Sequence, residues 1–250
     1  MFRLWSIWQI SVIWIWIVIL ILGALLVNVV TLGFIARPFL CPWLRFYGRS
    51  ILKLCRIEWE VEGMGHFSDD GPAIVVFNHT SLLDMFLLTA IAPDRVTYVL
   101  KRELLFYPFI GLFIWLFGFV SIDRGRSERA RRTMEKATER VKLEGLWITM
   151  APEGKRTRDG KVGRFKLGAF RMAVATKAPI IPVAIAGAYG LHPYGQWCTK
   201  PGKVAIRIMN PEPSTEWDDT QLEEFARAVE KRIADEVESL HDEHPEISRS

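Results

Sequence analysis

The feature that most restricts the folding of this chain is a run of 33 residues without a single charge, from Leu4 to Ala36. As one helix such a run is roughly 50 Å long, whereas the hydrocarbon core of a bilayer is about 30 Å thick. It is too long for one upright crossing and too short for two. We therefore expect residues 1–42 to form a membrane anchor, either one long tilted helix or a pair of helices lying partly in one leaflet.

The residues that follow this run indicate its orientation. A cleaved signal peptide is not expected, because the apolar stretch is far longer than that of a signal peptide and Arg37-Pro38 follows it directly. The next positive charges are Arg45, Arg49, Lys53 and Arg56, with no acidic residue before Glu58. Basic residues beside an apolar segment favour the cytoplasmic side and anionic headgroups, although such a cluster can also be an ordinary solvated face. The sequence thus predicts that the domain after this segment lies on the cytoplasmic face of a membrane, the inner membrane in a bacterium.

Length and charge set the domain organisation. The chain has 250 residues, which leaves one sizeable domain, residues 43–250, after the anchor. The net charge of +4 combines this basic front with a tail that is mainly acidic from Glu212 onward. The three cysteines, Cys41, Cys55 and Cys198, show no metal-binding spacing, so reduced and buried thiols are expected.

Strand and helix patterns alternate through this domain. The expected strands are Ile57–Val61 at a sheet edge, Ala73–Phe77, Val96–Leu100, Gly118–Ile122, Leu146–Met150, Ile180–Ile185 and Val204–Ile208. The expected helices are Leu82–Ile91, Ser127–Glu144, Phe165–Thr176 and Asp219–Leu240. This alternation predicts an α/β fold, with a layered, largely parallel or mixed sheet and flanking helices.

A histidine and an aspartate stand directly after one of these strands. His79 follows the apolar run that ends at Phe77, and Asp84 lies five positions further on. An imidazole is the side chain best suited to accept a proton near neutral pH. A carboxylate that binds its other ring nitrogen fixes the tautomer and stabilises the imidazolium. The pair is typical of a general base and its orienting acid, although the spacing alone also fits a structural histidine.

Positive charges follow other strands and point to an anionic substrate. Arg124 and Arg156 each come after an apolar strand, as His79 does, although each taken singly is more typical of a surface ion pair. A guanidinium can hold a phosphate through two hydrogen bonds. Between Lys101 and Arg124 lies a second uncharged run, Leu104–Ile122, which we expect to be buried or to dip into the membrane rather than to cross it.

These segments together resemble the glycerolipid acyltransferases with an HX4D motif, in particular the 1-acyl-sn-glycerol-3-phosphate acyltransferases. Four ordered motifs within residues 57–185 carry the resemblance: Asn78–Asp84, Lys101–Gly111 with Ser121–Arg124, Ala151–Thr157 and Ile180–Ile185. The chain departs from the family pattern at Ser121, where the family has an aromatic residue. It also has Lys155 in place of a threonine and Thr157 in place of a serine.

The resemblance implies a role for each matching residue. It implies catalysis by His79 and Asp84, without a nucleophilic side chain, a metal or a cofactor. It implies that the acceptor, lysophosphatidate, is bound by Lys101, Arg124, Glu153, Gly154 and Arg156. The acyl donor would be acyl-CoA or acyl carrier protein, and the product phosphatidic acid would belong to phospholipid biosynthesis. The implied partner is the phospholipid bilayer, with no role for nucleic acid.

Three other functions fit parts of the pattern. A hydrolase would use the same pair of residues with water, but the chain contains no G-x-S-x-G motif. A non-catalytic lipid-binding membrane protein would have no need of an intact His79 and Asp84. A related acyltransferase acting on glycerol 3-phosphate or on another lysophospholipid is the strongest alternative.

Overall fold

The computed structural model describes residues 2–30, 36–67, 71–107, 109–123, 125, 127–196 and 198–247. Its helices are α1 Phe2–Val30, α2 Ala36–Leu54, α3 Leu83–Ala90, α4 Ile110–Leu116, α5 Ser127–Glu144, α6 Gly168–Thr176, α7 Ala188–Leu191 and α8 Leu222–Glu243. Short 3-10 helices span Met64–His66, Arg102–Phe106 and Ser214–Glu216. The strands are β1 Ile57–Glu62, β2 Ile74–Phe77, β3 Val96–Lys101, β4 Val120–Ile122, β5 Trp147–Met150, β6 Ile180–Ala186 and β7 Gly202–Ile208.

The seven strands form one mixed sheet in the order β1-β7-β6-β2-β5-β3-β4. Neighbouring strands are parallel except β6 and β7, which are antiparallel. Each strand matches one of the seven expected apolar runs, and β1 lies at an edge as its alternating pattern predicted. The expected α/β fold with a layered mixed sheet is confirmed.

Helices cover both faces of the sheet. On one face α1, α2 and α3 pack on Val75, Phe77 and the other strand residues that point the same way. On the other face α5, α6 and α8 pack on Ile74, Val76 and their neighbours. Because successive side chains of a strand point to opposite faces, the fully buried β2 contributes to both layers.

Two helices begin three residues later than their sequence patterns predicted. Helix α8 begins at Leu222 rather than Asp219, and α6 begins at Gly168 rather than Phe165. The N–H of Phe165 donates instead to Glu230, at 2.6 Å, and the N–H of Lys166 donates to the carbonyl of Pro152, at 2.9 Å. These long-range bonds keep the segment extended as it passes the end of β5.

The N-terminal helices form a pair that packs on the domain. Trp16 of α1 contacts Phe46 of α2 edge to face, with ring centroids 5.5 Å apart. Leu20 and Ile21 of α1 are buried, while Ile15 and other apolar side chains on its outer face are exposed. Among the described residues, no helix has both the length and the hydropathy needed to cross a bilayer.

The first residues of the basic segment are part of the fold. Arg45 donates to the carbonyl of Ala92, at 3.0 Å, and pairs with Asp94. Arg49 donates to the carbonyl of Ala90, at 3.0 Å. Two of the residues expected to face anionic headgroups therefore bind carbonyl groups at the C-terminal end of α3, where a positive charge is stabilising.

The second uncharged run, Leu104–Ile122, is not one continuous helix. It contains part of a 3-10 helix, the short α4 and strand β4, so it differs from a membrane span. Ile114 and Leu116 are buried against the domain, whereas Phe106 and Trp115 are exposed. The segment that we expected to be buried or to dip into the membrane is thus buried on one side only.

Candidate active site

The candidate site lies where the carboxyl ends of neighbouring parallel strands meet. Strand β2 pairs with β5 on one side and with β6 on the other. The loop after β2 carries His79, and the loop after β5 carries Glu153. In α/β sheets this edge is the usual place for ligands, because the loops that leave parallel strands converge there.

Asp84 holds the imidazole of His79. Its Oδ2 atom lies 2.8 Å from Nδ1 of His79. The same oxygen accepts the backbone N–H groups of Thr80 and Ser81, both at 2.9 Å. Asp84 is completely buried at the start of α3, so the protein rather than water fixes its orientation.

This arrangement favours one tautomer of the histidine. An oxygen that already receives two N–H donors acts as an acceptor toward Nδ1, which places the ring proton on Nδ1. The other nitrogen, Nε2, is then unprotonated and can accept a proton. His79 therefore has the geometry of a general base oriented by Asp84.

The backbone of His79 is fixed by the loop after β5. Its N–H donates to Oε1 of Glu153, at 2.8 Å, and its carbonyl accepts the N–H of Thr157, at 2.9 Å. On the other side, the Asn78 side chain donates to the carbonyl of Ile185, at 2.9 Å, and accepts its N–H, at 2.8 Å. The side-chain amide of Asn78 thereby continues the bonding between β2 and β6 by one position.

Glu153 is buried beside this loop. Burial raises the pKa of its carboxyl group to about 7. A Cβ atom at Gly163 would lie only 2.7 Å from Oε2 of Glu153 and 3.2 Å from the Thr157 side chain. A Cβ atom at position 163 would therefore displace the Glu153 carboxylate from its present position beside His79.

A cavity of about 390 Å³ adjoins the start of α3. Its walls are mostly apolar and come from α1, α2 and α3, including Ile13, Ile51 and Phe86. Its polar part includes Arg156, which is half-buried and lies 5.1 Å from the centre of the Tyr194 ring, and the buried His192. Burial, followed by the charge of Arg156, lowers the pKa of His192.

The predicted site residues are only partly brought together. His79, Asp84 and Glu153 form one bonded group, and Gly154 follows with φ +76°, a left-handed conformation that suits glycine. Lys101 ends β3, two strands away from β2, and its ammonium group lies 3.3 Å from the Glu103 carboxylate. Arg124 lies outside the described residues.

Sequence reasoning missed two residues of the site. Gly163 is one, and His192 is the other: its carbonyl accepts the hydroxyl proton of Ser81, at 3.0 Å. A lone glycine and a lone histidine at these positions give no local signal. Their positions depend on the packing of distant segments.

One group of side chains among the described residues has the spacing of a metal site. It consists of Glu62, Glu243 and His244. Arg207 already binds both carboxylates, with its nitrogens 2.6 Å from an oxygen of Glu62 and 2.6 Å from an oxygen of Glu243. The guanidinium therefore takes the place that a cation would need.

The fold and this site define a class of protein. A model of the Acyltransferase family matches residues 58–186, the stretch that includes His79, Asp84 and Glu153. The chain belongs to this acyltransferase family.

Several characterised proteins are similar to this chain. The mouse (Mus musculus) 1-acyl-sn-glycerol-3-phosphate acyltransferase alpha is 35% identical over 156 residues, covering 62% of this chain and 55% of the relative. The human (Homo sapiens) 1-acyl-sn-glycerol-3-phosphate acyltransferase beta is 31% identical over 185 residues, covering 69% of this chain and 66% of the relative. The chain thus matches less than two thirds of the length of either protein.

A solved structure is similar over nearly its whole length. The crystal structure of the 1-acyl-sn-glycerophosphate (LPA) acyltransferase PlsC from Thermotoga maritima superposes with a TM-score of 0.81 at 28% identity. The alignment covers 95% of each chain.

Proposed function

We propose that this protein is a 1-acyl-sn-glycerol-3-phosphate acyltransferase, which moves an acyl chain from a thioester to the sn-2 hydroxyl of lysophosphatidate and yields phosphatidic acid. The single observation that carries the proposal is the bond between Nδ1 of His79 and the buried Asp84, which leaves Nε2 as a base. The similarity to named lysophosphatidate acyltransferases supports the choice of acceptor.

In the proposed reaction His79 transfers one proton in each direction. Nε2 takes the proton of the sn-2 hydroxyl as that oxygen attacks the thioester carbonyl carbon. The tetrahedral intermediate then breaks its carbon–sulfur bond, and the departing thiolate takes the proton back from Nε2. Asp84 stabilises the imidazolium while it exists.

Arg156 is the best-placed cation for the acceptor's phosphate. It borders an apolar cavity and is held in place by the Tyr194 ring. An acceptor with one phosphate and one acyl chain matches such a combination of a cation and an apolar wall. We propose that Lys101 and Arg124 add further positive charge, and that Gly154 lets the backbone approach the acceptor.

Glu153 would contribute through its position next to His79. Its buried contacts support a role in holding the His79 loop, in addition to the acceptor binding that the family resemblance implies. No metal or cofactor enters the proposed reaction, and the donor is acyl-CoA or acyl carrier protein.

We also propose that the protein works on a membrane, with residues 1–42 as its anchor, residues 43–250 as its α/β acyltransferase domain and the catalytic side facing the cytoplasm. The exposed apolar outer face of α1 supports this proposal, because a helix that is apolar on both faces needs an apolar environment on each. The pairing of α1 with α2 favours helices that lie in one leaflet over a single tilted crossing.

The function can be tested with purified protein and a panel of acceptors. Lysophosphatidate, glycerol 3-phosphate and lysophosphatidylcholine would each be supplied with acyl-CoA and with acyl carrier protein, and thiol release and lipid products would be measured. We expect phosphatidic acid from lysophosphatidate at the highest kcat/KM. Faster acylation of either other acceptor, or no transfer to any, would contradict the proposal.

A further inference from the structure

Six large apolar side chains are exposed within one short segment beside α4. They are Leu105, Phe106, Tyr107, Phe109, Leu112 and Trp115, called the aromatic patch below. Phe106 is 75% exposed and Trp115 is 73% exposed. A concentration of exposed apolar side chains of this kind marks a binding surface on a folded protein, whereas single exposed apolar residues need no explanation.

The local fold holds these side chains outward. The N–H of Gly111 donates to the carbonyl of Tyr107, at 3.2 Å, which closes a tight turn before α4. A Cβ atom at Gly111 would lie only 2.3 Å from the carbonyl oxygen of Leu105, so the two backbone segments touch. Position 111 therefore has no room for a side chain, and this close approach fixes the course of the backbone through the patch.

The same segment has an inner face with its own apolar residues. Ile114 and Leu116 are buried, and Phe113 packs against Tyr47 and Phe117, with ring centroids 6.3 Å and 4.4 Å away. The inner side chains of the segment therefore already pack against the core of the domain. The aromatic patch is a second apolar face, which the described residues leave uncovered.

The chemistry of the patch fits a lipid surface better than a protein partner. The sequence from Leu104 to Ile122 contains no charged residue, so no charged side chain of this segment opposes its insertion into a lipid surface. Tyrosine and tryptophan rings are suited to the level of the lipid headgroups. Helix α4 also packs against α1, whose outer face exposes Ile15 and Leu22, so two neighbouring helices each expose apolar side chains.

We propose that the aromatic patch inserts into the headgroup region of a phospholipid bilayer, as a membrane contact in addition to the N-terminal anchor. The role that we give to this contact, bringing the active site to its acceptor, rests on the proposed function. The patch begins at the carboxyl end of β3, at the same edge of the sheet as the carboxyl end of β2, which leads to His79, and it runs from there toward the amino end of β4. Insertion of its first part, residues 105–107, holds the edge that carries His79 against the bilayer, where the acceptor resides.

The first test measures contact with lipid by fluorescence. The full-length protein and its Trp115→Phe variant would be bound to phosphatidylglycerol-containing vesicles with and without brominated acyl chains, which quench nearby tryptophans. We expect the quenchable fluorescence to fall in Trp115→Phe and to stay unchanged in Trp59→Phe. Trp59 is the control because it lies on β1, the outermost strand on the side of the sheet away from β3 and β4. Equal quenching in the wild type and Trp115→Phe would overturn the proposal.

The second test measures the consequence for catalysis with the full-length Phe106→Ser/Trp115→Ser variant. We expect KM for lysophosphatidate in vesicles to rise about tenfold or more, because burial of each ring favours the bound state, while kinetics with a water-soluble short-chain acceptor stay unchanged. Leu143→Ser, at an isolated and 86% exposed position of α5, is the matched control. Unchanged vesicle kinetics, equal losses with both acceptors, or a changed oligomeric state in place of a vesicle effect would each overturn the proposal.

The two tests separate this inference from the proposed function. If the wild-type protein forms no phosphatidic acid from either acceptor, the proposed reaction fails while the quenching result still decides whether the patch contacts lipid. If the wild-type protein is active but Trp115 is not quenched, the proposed reaction stands and the membrane contact fails.

Discussion

The carboxylate of Glu153 accepts the backbone N–H of His79 at 2.8 Å, although the two residues are 74 positions apart in the chain. The loops after β2 and β5 are thereby joined directly beneath the proposed base. The position of the His79 ring depends on this contact as well as on Asp84. Changes in the loop after β5 should consequently alter catalysis even where they do not touch a substrate.

His79→Ala should abolish acyl transfer while the fold and membrane binding remain intact. Asp84→Asn should lower kcat by about 100-fold or more, because a neutral amide stabilises the imidazolium less than a carboxylate does. Thiol release from acyl-CoA measures both effects, and thermal unfolding checks the fold. Turnover close to wild type in His79→Ala would exclude His79 as the base.

Glu153→Gln should change how stability depends on pH. The pKa of Glu153 is raised by burial to about 7, above the usual value of 4.5, so between these values the folded protein binds the proton more strongly than the unfolded chain. The free energy of unfolding should therefore fall as pH rises from 4.5 to 7, by on the order of 3 kcal/mol at most. Glutamine keeps an oxygen that can accept from His79 but does not titrate.

The measurement is urea unfolding of the wild type and Glu153→Gln at several pH values. We expect the difference in unfolding free energy between the two proteins to drift over this range and to become constant above pH 8. A difference that is the same at pH 5 and pH 8 would show that Glu153 titrates normally.

Gly163→Ala should reduce activity by displacing Glu153. The added Cβ atom would lie 2.7 Å from Oε2 of Glu153, so the carboxylate must shift, and its bond through Oε1 to the His79 N–H is disturbed. A displacement of about 1 Å at a reacting group can cost up to roughly 100-fold in rate. Gly65→Ala is the matched control, because nothing lies within 4 Å of its Cβ position. Equal kcat values for the two variants would contradict the proposal that Glu153 holds the His79 loop in place.

Much of the fold follows from local sequence patterns. Each of the seven strands is a short apolar run between turns, and such runs can be recognised in the sequence without knowledge of the tertiary contacts. The start of α6 was misplaced because the N–H groups of Phe165 and Lys166 bind Glu230 and Pro152, partners that a local pattern does not contain.

The residues of the site are also of two kinds: those whose contact can be predicted from the sequence, and those that only the fold brings together. His79 and Asp84 are five positions apart, so their contact is visible in the sequence, and the structure places them 2.8 Å apart. The contacts of Glu153, Gly163 and His192 join segments that only the sheet brings together. The carbonyl partners of Arg45 and Arg49 likewise come from the end of α3, which the sequence of the basic segment does not indicate.

Arg156→Ala should raise the KM for lysophosphatidate by about 10- to 150-fold, the cost of losing a charge-assisted hydrogen bond to a phosphate, and should change the donor KM little. Arg156→Lys should restore only part of the loss, because an ammonium group cannot form the paired hydrogen bonds of a guanidinium.

Lys155→Thr should raise the KM for lysophosphatidate less than Arg156→Ala does, since Lys155 is exposed, whereas Arg156 borders the apolar cavity. Arg158→Ala is the control, because Arg158 also lies over the Tyr194 ring but does not line the cavity. The phosphate assignment fails if Arg156→Ala leaves lysophosphatidate kinetics unchanged, or if Arg158→Ala has the same effect.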